Sequence, residues 1–235
     1  MLERTLNLGI LAHVDAGKTT LTERLLYAAG VIDELGRVDD GTTQTDTLPL
    51  EQRRGITIKS AVVTFAIDDV TVNLIDTPGH PDFIAEVERV LSVLDGAVLV
   101  ISAVEGVQSQ TPLLMRALQR LRVPTLIFVN KLDRVGADPD RVLEEISARL
   151  TPAIVPMGID DGAKLAEVLA DQDESLLAAY VEGDGLPYRR LREELAAQTG
   201  RALVHPVFVG SARTGEGVDQ LIAGIAELLP ASAGD

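Results

Sequence analysis

The chain has 235 residues, 46% hydrophobic and 24% charged, with 20 Gly and 11 Pro, which excludes disordered, collagen-like and low-complexity classes and suffices to bury a core. It has no cysteine, so thiol nucleophiles, Cys-ligated zinc and disulfides are excluded, and 3 His remain as neutral ligands. The 21 basic and 36 acidic residues give a formal net charge of −15, which repels a polyanion over most of the surface, so no independent nucleic-acid binding is expected.

No apolar run reaches the roughly 18 residues needed to cross a bilayer, and the start MLERTLNLGILAHVD turns polar too early for a signal peptide. A cytoplasmic monomer with no membrane partner is expected. In chain order, strand-length apolar runs at residues 6–11, 58–67, 70–75, 97–101, 125–129 and 206–209 alternate with helix-period segments at 18–28, 83–94, 111–121, 139–150 and 218–229. Most of the runs are too continuously apolar for a sheet with one wet face, so they read as strands covered on both sides. Asp68-Asp69 is a two-residue polar break between β-type runs and predicts a hairpin, antiparallel in an otherwise parallel sheet. The fold class is therefore α/β: a mixed six-stranded, mostly parallel sheet with helices on both faces.

Two stretches depart from that rhythm. Residues 31–57 lack sustained periodicity and are rich in Asp, Thr and Gly, as functional loops of that length are. Residues 151–205 hold helix-like stretches at 162–170, 174–181 and 188–199 without a convincing strand, and read as an inserted, mainly helical subdomain. The main domain is then 1–150 with 206–230, and 231–235 is a tail.

Four short segments fall at the C-terminal ends of predicted strands. Ala12-His13-Val14-Asp15-Ala16-Gly17-Lys18-Thr19, extended by Thr20, matches the phosphate-loop spacing G-x-x-x-x-G-K-[ST] at every fixed position but the first. Its amides and a helix N-terminus can cradle phosphate oxygens, Lys18 adds charge, and the Thr19 hydroxyl can ligate Mg²⁺. Asp76-Thr77-Pro78-Gly79-His80 puts a carboxylate where it can reach Mg²⁺ through water, and Gly79 lets backbone approach a terminal phosphate. In Asn130-Lys131-Leu132-Asp133 the last carboxylate can accept from the N1 and 2-amino groups of guanine, a donor pair adenine lacks. Gly210-Ser211-Ala212, extended by Arg213, offers the Ala212 amide to guanine O6.

Alone, each segment has an ordinary structural explanation: a tight turn, a Pro-Gly turn, a polar approach to a helix. Together, in this order and at strand ends, they specify a GTP-binding domain of the phosphate-loop NTPase class. An ATP-dependent kinase is disfavoured by Asp133. A guanine-nucleotide switch without significant hydrolysis stays open as the competing class.

Arg54-Gly55-Ile56-Thr57 followed by residues 76–80 resembles the translational GTPases, whose phosphate loop commonly reads A-H-x-D-A-G-K-T, so Ala12 is ordinary within that group. Residues 38–46 (VDDGTTQTD) and 50–58 (LEQRRGITI), with 91–97 and 106–111, are similar to the tetracycline-resistance ribosomal protection proteins. Elongation factor G resembles the same regions but typically has Met-Asp-Trp where this chain has Thr45-Asp46-Thr47. The likeness is strong over 5–150 and 205–229 and weak across the insertion.

The resemblance implies GTP and GDP with Mg²⁺ as cofactors. Lys18 and the loop amides then hold the phosphates, Thr19 and Thr57 ligate the ion, Asp76 binds it through water, and His80 orients the attacking water. Lys131 lays its stem over the guanine face, and Asp15 either helps bind a monovalent cation or caps the loop. His13 reads as a loop residue near the phosphates and His205 as structural. The ribosome is the implied partner. The chain stops after Leu228-Leu229-Pro230, where such a domain ends, so it is expected to be the G domain of a longer protein whose later domains decide between ribosome protection and translocation.

Overall fold

A computed structural model describes residues 4–33, 62–76, 89–158, 162–173, 176, 178 and 187–233. The strands are β1 (Arg4–Ala12), β2 (Val62–Ile67), β3 (Val70–Asp76), β4 (Gly96–Ser102), β5 (Thr125–Asn130), β6 (Ile154–Pro156), β7 (His205–Val209) and β8 (Ser232–Ala233). The helices are α1 (Lys18–Ala28), α2 (Thr111–Leu121), α3 (Pro139–Arg149), α4 (Gly162–Ala170), α5 (Tyr188–Gly200) and α6 (Val218–Leu228). They build one sheet in the order β2-β3-β1-β4-β5-β7-β6, with β8 paired to the start of β1. The main strands run parallel, except for the β2–β3 hairpin, where Ile67 pairs with Val70. Asp68 turns that hairpin at φ 50°, a left-handed conformation that Asp tolerates better than most residues.

Every residue of β4 and β5 is buried, as continuous apolar strands with helices on both faces require. Alternation along the strands divides the core. Leu6, Leu8, Val98, Val100, Leu126 and Phe128 face Leu21 and Leu25 of α1 and Leu221 and Ile225 of α6. On the other face, Leu99, Ile101, Ile127 and Val129 meet Met115 and Leu118 of α2 and Val142 and Ile146 of α3. Edge strand β2 instead alternates, with Phe65 and Ile67 buried and Val62, Thr64 and Ala66 exposed.

The sheet has two strands more than the six expected. β6 lies inside the segment read as strandless: three residues pair in parallel with His205–Val207 and extend the main sheet. Leu169 of α4 and Leu191 and Leu195 of α5 join the same apolar cluster as β1, so this segment's helices pack onto the common core. β8 adds two tail residues opposite Arg4 and Thr5.

From β1 the chain passes to β3 on one side and to β4 and β5 on the other, with α1 on one face and α2 and α3 on the opposite face. That makes the C-terminal end of β1 a topological switch point, where open α/β sheets leave a crevice for ligands.

Candidate functional site

The loop after β1 enters α1 through Gly17, whose φ of 99° is left-handed and whose position allows no side chain: a Cβ there would stand 2.3 Å from Nδ2 of Asn130. No side-chain cap bond closes the N-terminus of α1, and no acidic residue lies in its first turn. Its first amides and the dipole therefore point at the crevice without a competing carboxylate, which suits an anion. Lys18, Thr19 and Thr20 follow directly, each half-buried. Val14 and Asp15 stand exposed at the tip, with Asp15 at φ 65°.

His13 turns inward. It is 6% exposed, its Nδ1 lies 3.5 Å from the Thr111 hydroxyl at the start of α2, and its buried Nε2 has no partner among the described residues. Burial lowers its pKa against the opposing pull of Glu105, so the ring is held neutral beside the loop.

The first and fourth segments are stitched together by Asn130. Its Nδ2 donates to the Ala16 carbonyl at 2.9 Å, and its Oδ1 accepts from the Ala212 amide at 2.9 Å. One side chain, 3% exposed, thus links the loop after β1 with the loop after β7. Leu132, in the loop after β5, binds to the same β7 loop from its backbone, donating to the Gly210 carbonyl at 3.1 Å. Lys131 takes a left-handed φ of 72° and directs its ammonium to both Glu105 oxygens at 3.2 Å.

Asp133 accepts from Ser211 Oγ at 2.5 Å on one oxygen and from Arg213 Nε at 2.8 Å on the other. Burial alone would push its pKa up; the Ser211 hydroxyl and the Arg213 guanidinium outweigh that and hold the carboxyl below the usual range, ionised. A carboxylate offers about four lone-pair directions. Ser211 and Arg213 each take one, the backbone amide of Asp133 itself also hydrogen-bonds the carboxylate, and Arg134 Nε stands 3.8 Å from Oδ2, so the group is an ionised acceptor that a ligand would share with these donors.

Asp76 ends β3, with its backbone in register with Ile10 of β1. Thr57, Thr77, Pro78, Gly79 and His80 lie outside the described residues. Among the described residues no group of three His, Cys, Asp or Glu side chains could hold a metal. The backbone of Asp76 is described but its side chain is not, so of the expected ion ligands only Thr19, at the start of α1, is described; Mg²⁺ beside phosphates needs few protein ligands.

Two residues outside the sequence motifs take part. Arg24 of α1 donates from Nε to the Ala212 carbonyl at 2.8 Å and from Nη2 to the Arg213 carbonyl, fixing the loop that presents the Ala212 amide. Glu105 anchors Lys131. Arg24 carries no local signal, whereas Glu105 directly precedes the family-like run at 106–111.

The chain matches the family described as Elongation factor Tu GTP binding domain over residues 3–231. It belongs to that family. As a G domain it is 60% identical to the oxytetracycline resistance protein of Streptomyces rimosus over 96% of the chain, and 52% identical to the tetracycline resistance protein TetM of Streptomyces lividans over 97%. A crystal structure from Thermus thermophilus superposes on 97% of the chain with a TM-score of 0.83 at 28% identity. The G domain spans 37% and 38% of the length of the two resistance proteins and 41% of the solved chain. Membership makes this a GTP-binding domain of the translational GTPase class. No helix of the described residues is long and apolar enough to cross a membrane.

Proposed function

We propose that this G domain binds GTP and GDP with Mg²⁺, hydrolyses GTP slowly by itself, and serves a cytoplasmic protein that protects ribosomes from tetracycline. The observation that carries the reading is the double contact of Asn130, which couples the anion-binding loop to the loop facing the base. Asp133 selects guanine by accepting from N1–H and the 2-amino group, Ala212 donates to O6, and Lys131 covers the base face. Ser211 and Arg213 hold the carboxylate for that task.

At the phosphate end, residues 12–17 and Lys18 bind the β- and γ-phosphates, with Thr20 in the turn that follows. Thr19, Thr57 and Asp76 would hold Mg²⁺, which when bound neutralises charge on the phosphate oxygens. In the Asp76-Thr77-Pro78-Gly79-His80 segment, Gly79 would allow a close backbone approach to the γ-phosphate and His80 would orient the attacking water. Asp15 is offered as a ligand for a monovalent cation beside the phosphates. The names of the two resistance proteins at 60% and 52% identity favour ribosome protection over translocation as the role of the whole protein.

No arginine in these motifs is assigned to the transition state, and a supplied activator in related NTPases is worth roughly 10³–10⁵ in rate. The proposed activator is the ribosome, reached through the longer protein; the chain itself acts as a monomer. Single-turnover hydrolysis, with and without ribosomes, tests this on the 235-residue chain and on the protein extended along its reading frame. The short chain should respond weakly and the extended protein strongly. His80→Ala should abolish the stimulated rate and leave GDP affinity nearly unchanged. A His80→Ala protein that keeps the stimulated rate removes His80 from the mechanism.

A further inference from the structure

We propose that Glu105 is a positioning residue for the guanine base: it holds the Lys131 ammonium so that the lysine stem is already laid out when nucleotide arrives. The inference rests on the reading that places Lys131 over the base. Lys131 Nζ meets both carboxylate oxygens of Glu105 at 3.2 Å, with the lysine side chain 21% and the glutamate side chain 44% exposed. Glu105 is itself fixed. Ser102, fully buried at the end of β4, donates its hydroxyl to the Glu105 carboxylate, and the same hydroxyl oxygen accepts from the amides of Val104 and Glu105 at 3.2 Å each.

Both ends of the pair are rooted in adjacent strand ends. Ser102 is in register with Asn130, the residue before Lys131. The backbone of Ala103 spans the two loops, donating to the Asn130 carbonyl at 2.7 Å and accepting from the Asp138 amide at 3.0 Å. From outside, α3 clamps the turn: Arg141 donates to the Val104 carbonyl at 2.9 Å, and Glu145 accepts from the Val107 amide at 2.9 Å. Glu105 is therefore presented by a braced turn.

The physical advantage is preorganisation. A lysine stem has four rotatable bonds, and stacking a free one on a base would lose that freedom at the moment of binding. Anchoring the ammonium at its far end leaves the methylenes as the surface offered to the ring.

The test compares GDP with inosine diphosphate, which lacks the 2-amino group read by Asp133, in wild type, Glu105→Gln, Lys131→Ala and the double variant. Glu105→Gln keeps shape but removes the charge. It should weaken both nucleotides by the same factor, about three- to tenfold and mainly in koff, with the ratio to wild type shrinking near 1 M salt, where the screening length falls to about 3 Å. In the Lys131→Ala background Glu105→Gln should cost nothing, because the two act as a unit. A cost that persists in that background would show that Glu105 merely shapes its turn and overturns the proposal. So would unchanged or tighter GDP binding by Glu105→Gln while Lys131→Ala binds weakly. If wild type fails to bind GDP, or Lys131→Ala binds it normally, the reading of the base site falls and takes this proposal with it.

Discussion

Asn130 donates to the carbonyl oxygen of Ala16 at 2.9 Å, from the last residue of β5 into the loop that follows β1. The contact crosses beneath Gly17, whose missing Cβ makes room for the amide. One buried side chain thus ties the loop after β1 to the loop after β7, alongside the Arg24 bonds from α1 to Ala212 and Arg213.

Replacing that side chain tests the coupling. Asn130→Ala strands the Ala16 carbonyl and the Ala212 amide, and buried unsatisfied backbone groups cost about 1–3 kcal/mol each. Chemical denaturation should show a loss of about 2–4 kcal/mol, and titration should show GDP affinity falling by at least about tenfold. Asn130→Asp keeps an acceptor for Ala212 but sets a carboxylate oxygen against the Ala16 carbonyl, so it should not rescue. GDP binding unchanged in Asn130→Ala would mean the two loops hold their places without it.

On the proposed reading, base choice rests on Asp133: an ionised carboxylate can accept from the N1–H and 2-amino donors of guanine, and adenine offers no such pair. Calorimetric titration should show GDP binding and no ATP binding, and Asp133→Asn should move preference toward xanthine nucleotides, whose 2-oxo group accepts from the new amide. ATP bound as tightly as GDP by wild type sinks the assignment.

Much of this was legible in the sequence because it is local. The runs 97–101 and 125–129 are apolar at both parities, which only a doubly covered strand tolerates, and the phosphate-loop and base-loop motifs are consecutive residues at strand ends. β6 was not legible. Its three residues, beginning two positions after Pro152 and ending at Pro156, are too few for any periodicity and are made a strand by pairing with His205–Val207. β8 likewise carries no pattern of its own and is set by Arg4 and Thr5. Arg24 reaches Ala212 across 188 positions, so only tertiary structure discloses its role. Glu105 lies beside a recognisable run, yet its target, Lys131, is on another strand end.

Acid should loosen the fold through its buried histidines. His205 is 2% exposed and donates from Nδ1 to the Thr125 carbonyl at 3.2 Å; burial lowers its pKa, and that hydrogen bond offsets only part of the effect. Above the ordinary value of 6.5 both folded and unfolded rings are neutral and no penalty exists. As pH falls below it, the unfolded chain takes the proton first, so stability declines until the folded ring can also titrate. Urea midpoints should drop between about pH 7 and 5. His205→Asn, which can keep a donor at the Nδ1 position, should flatten that decline even if it lowers stability at pH 7. An equally steep decline in the variant would assign it to His13, lowered in the same direction by burial.

Two glycine-to-alanine changes should separate the site from the scaffold. Gly224 lies in α6, where alanine is favoured by about 1 kcal/mol on helix propensity. Its Cβ, however, would stand 2.3 Å from the ring of Phe208, a buried β7 side chain, and overpacking of that kind costs about 1–3 kcal/mol. The clash wins, so Gly224→Ala should melt lower than wild type. GDP should still raise its melting point, because ligand at a hundred times Kd adds about 2.7 kcal/mol to any folded state that binds it. Gly17→Ala meets Asn130 Nδ2 at 2.3 Å and must also adopt a φ of 99°, which alanine resists. Relieving that strain moves Asn130 off Ala16, so Gly17→Ala should gain no thermal stability from GDP. Thermal melts with and without GDP decide the matter. A normal GDP shift in Gly17→Ala would show that the loop can relax without giving up the anion site, and the coupling through Asn130 would then have to be abandoned.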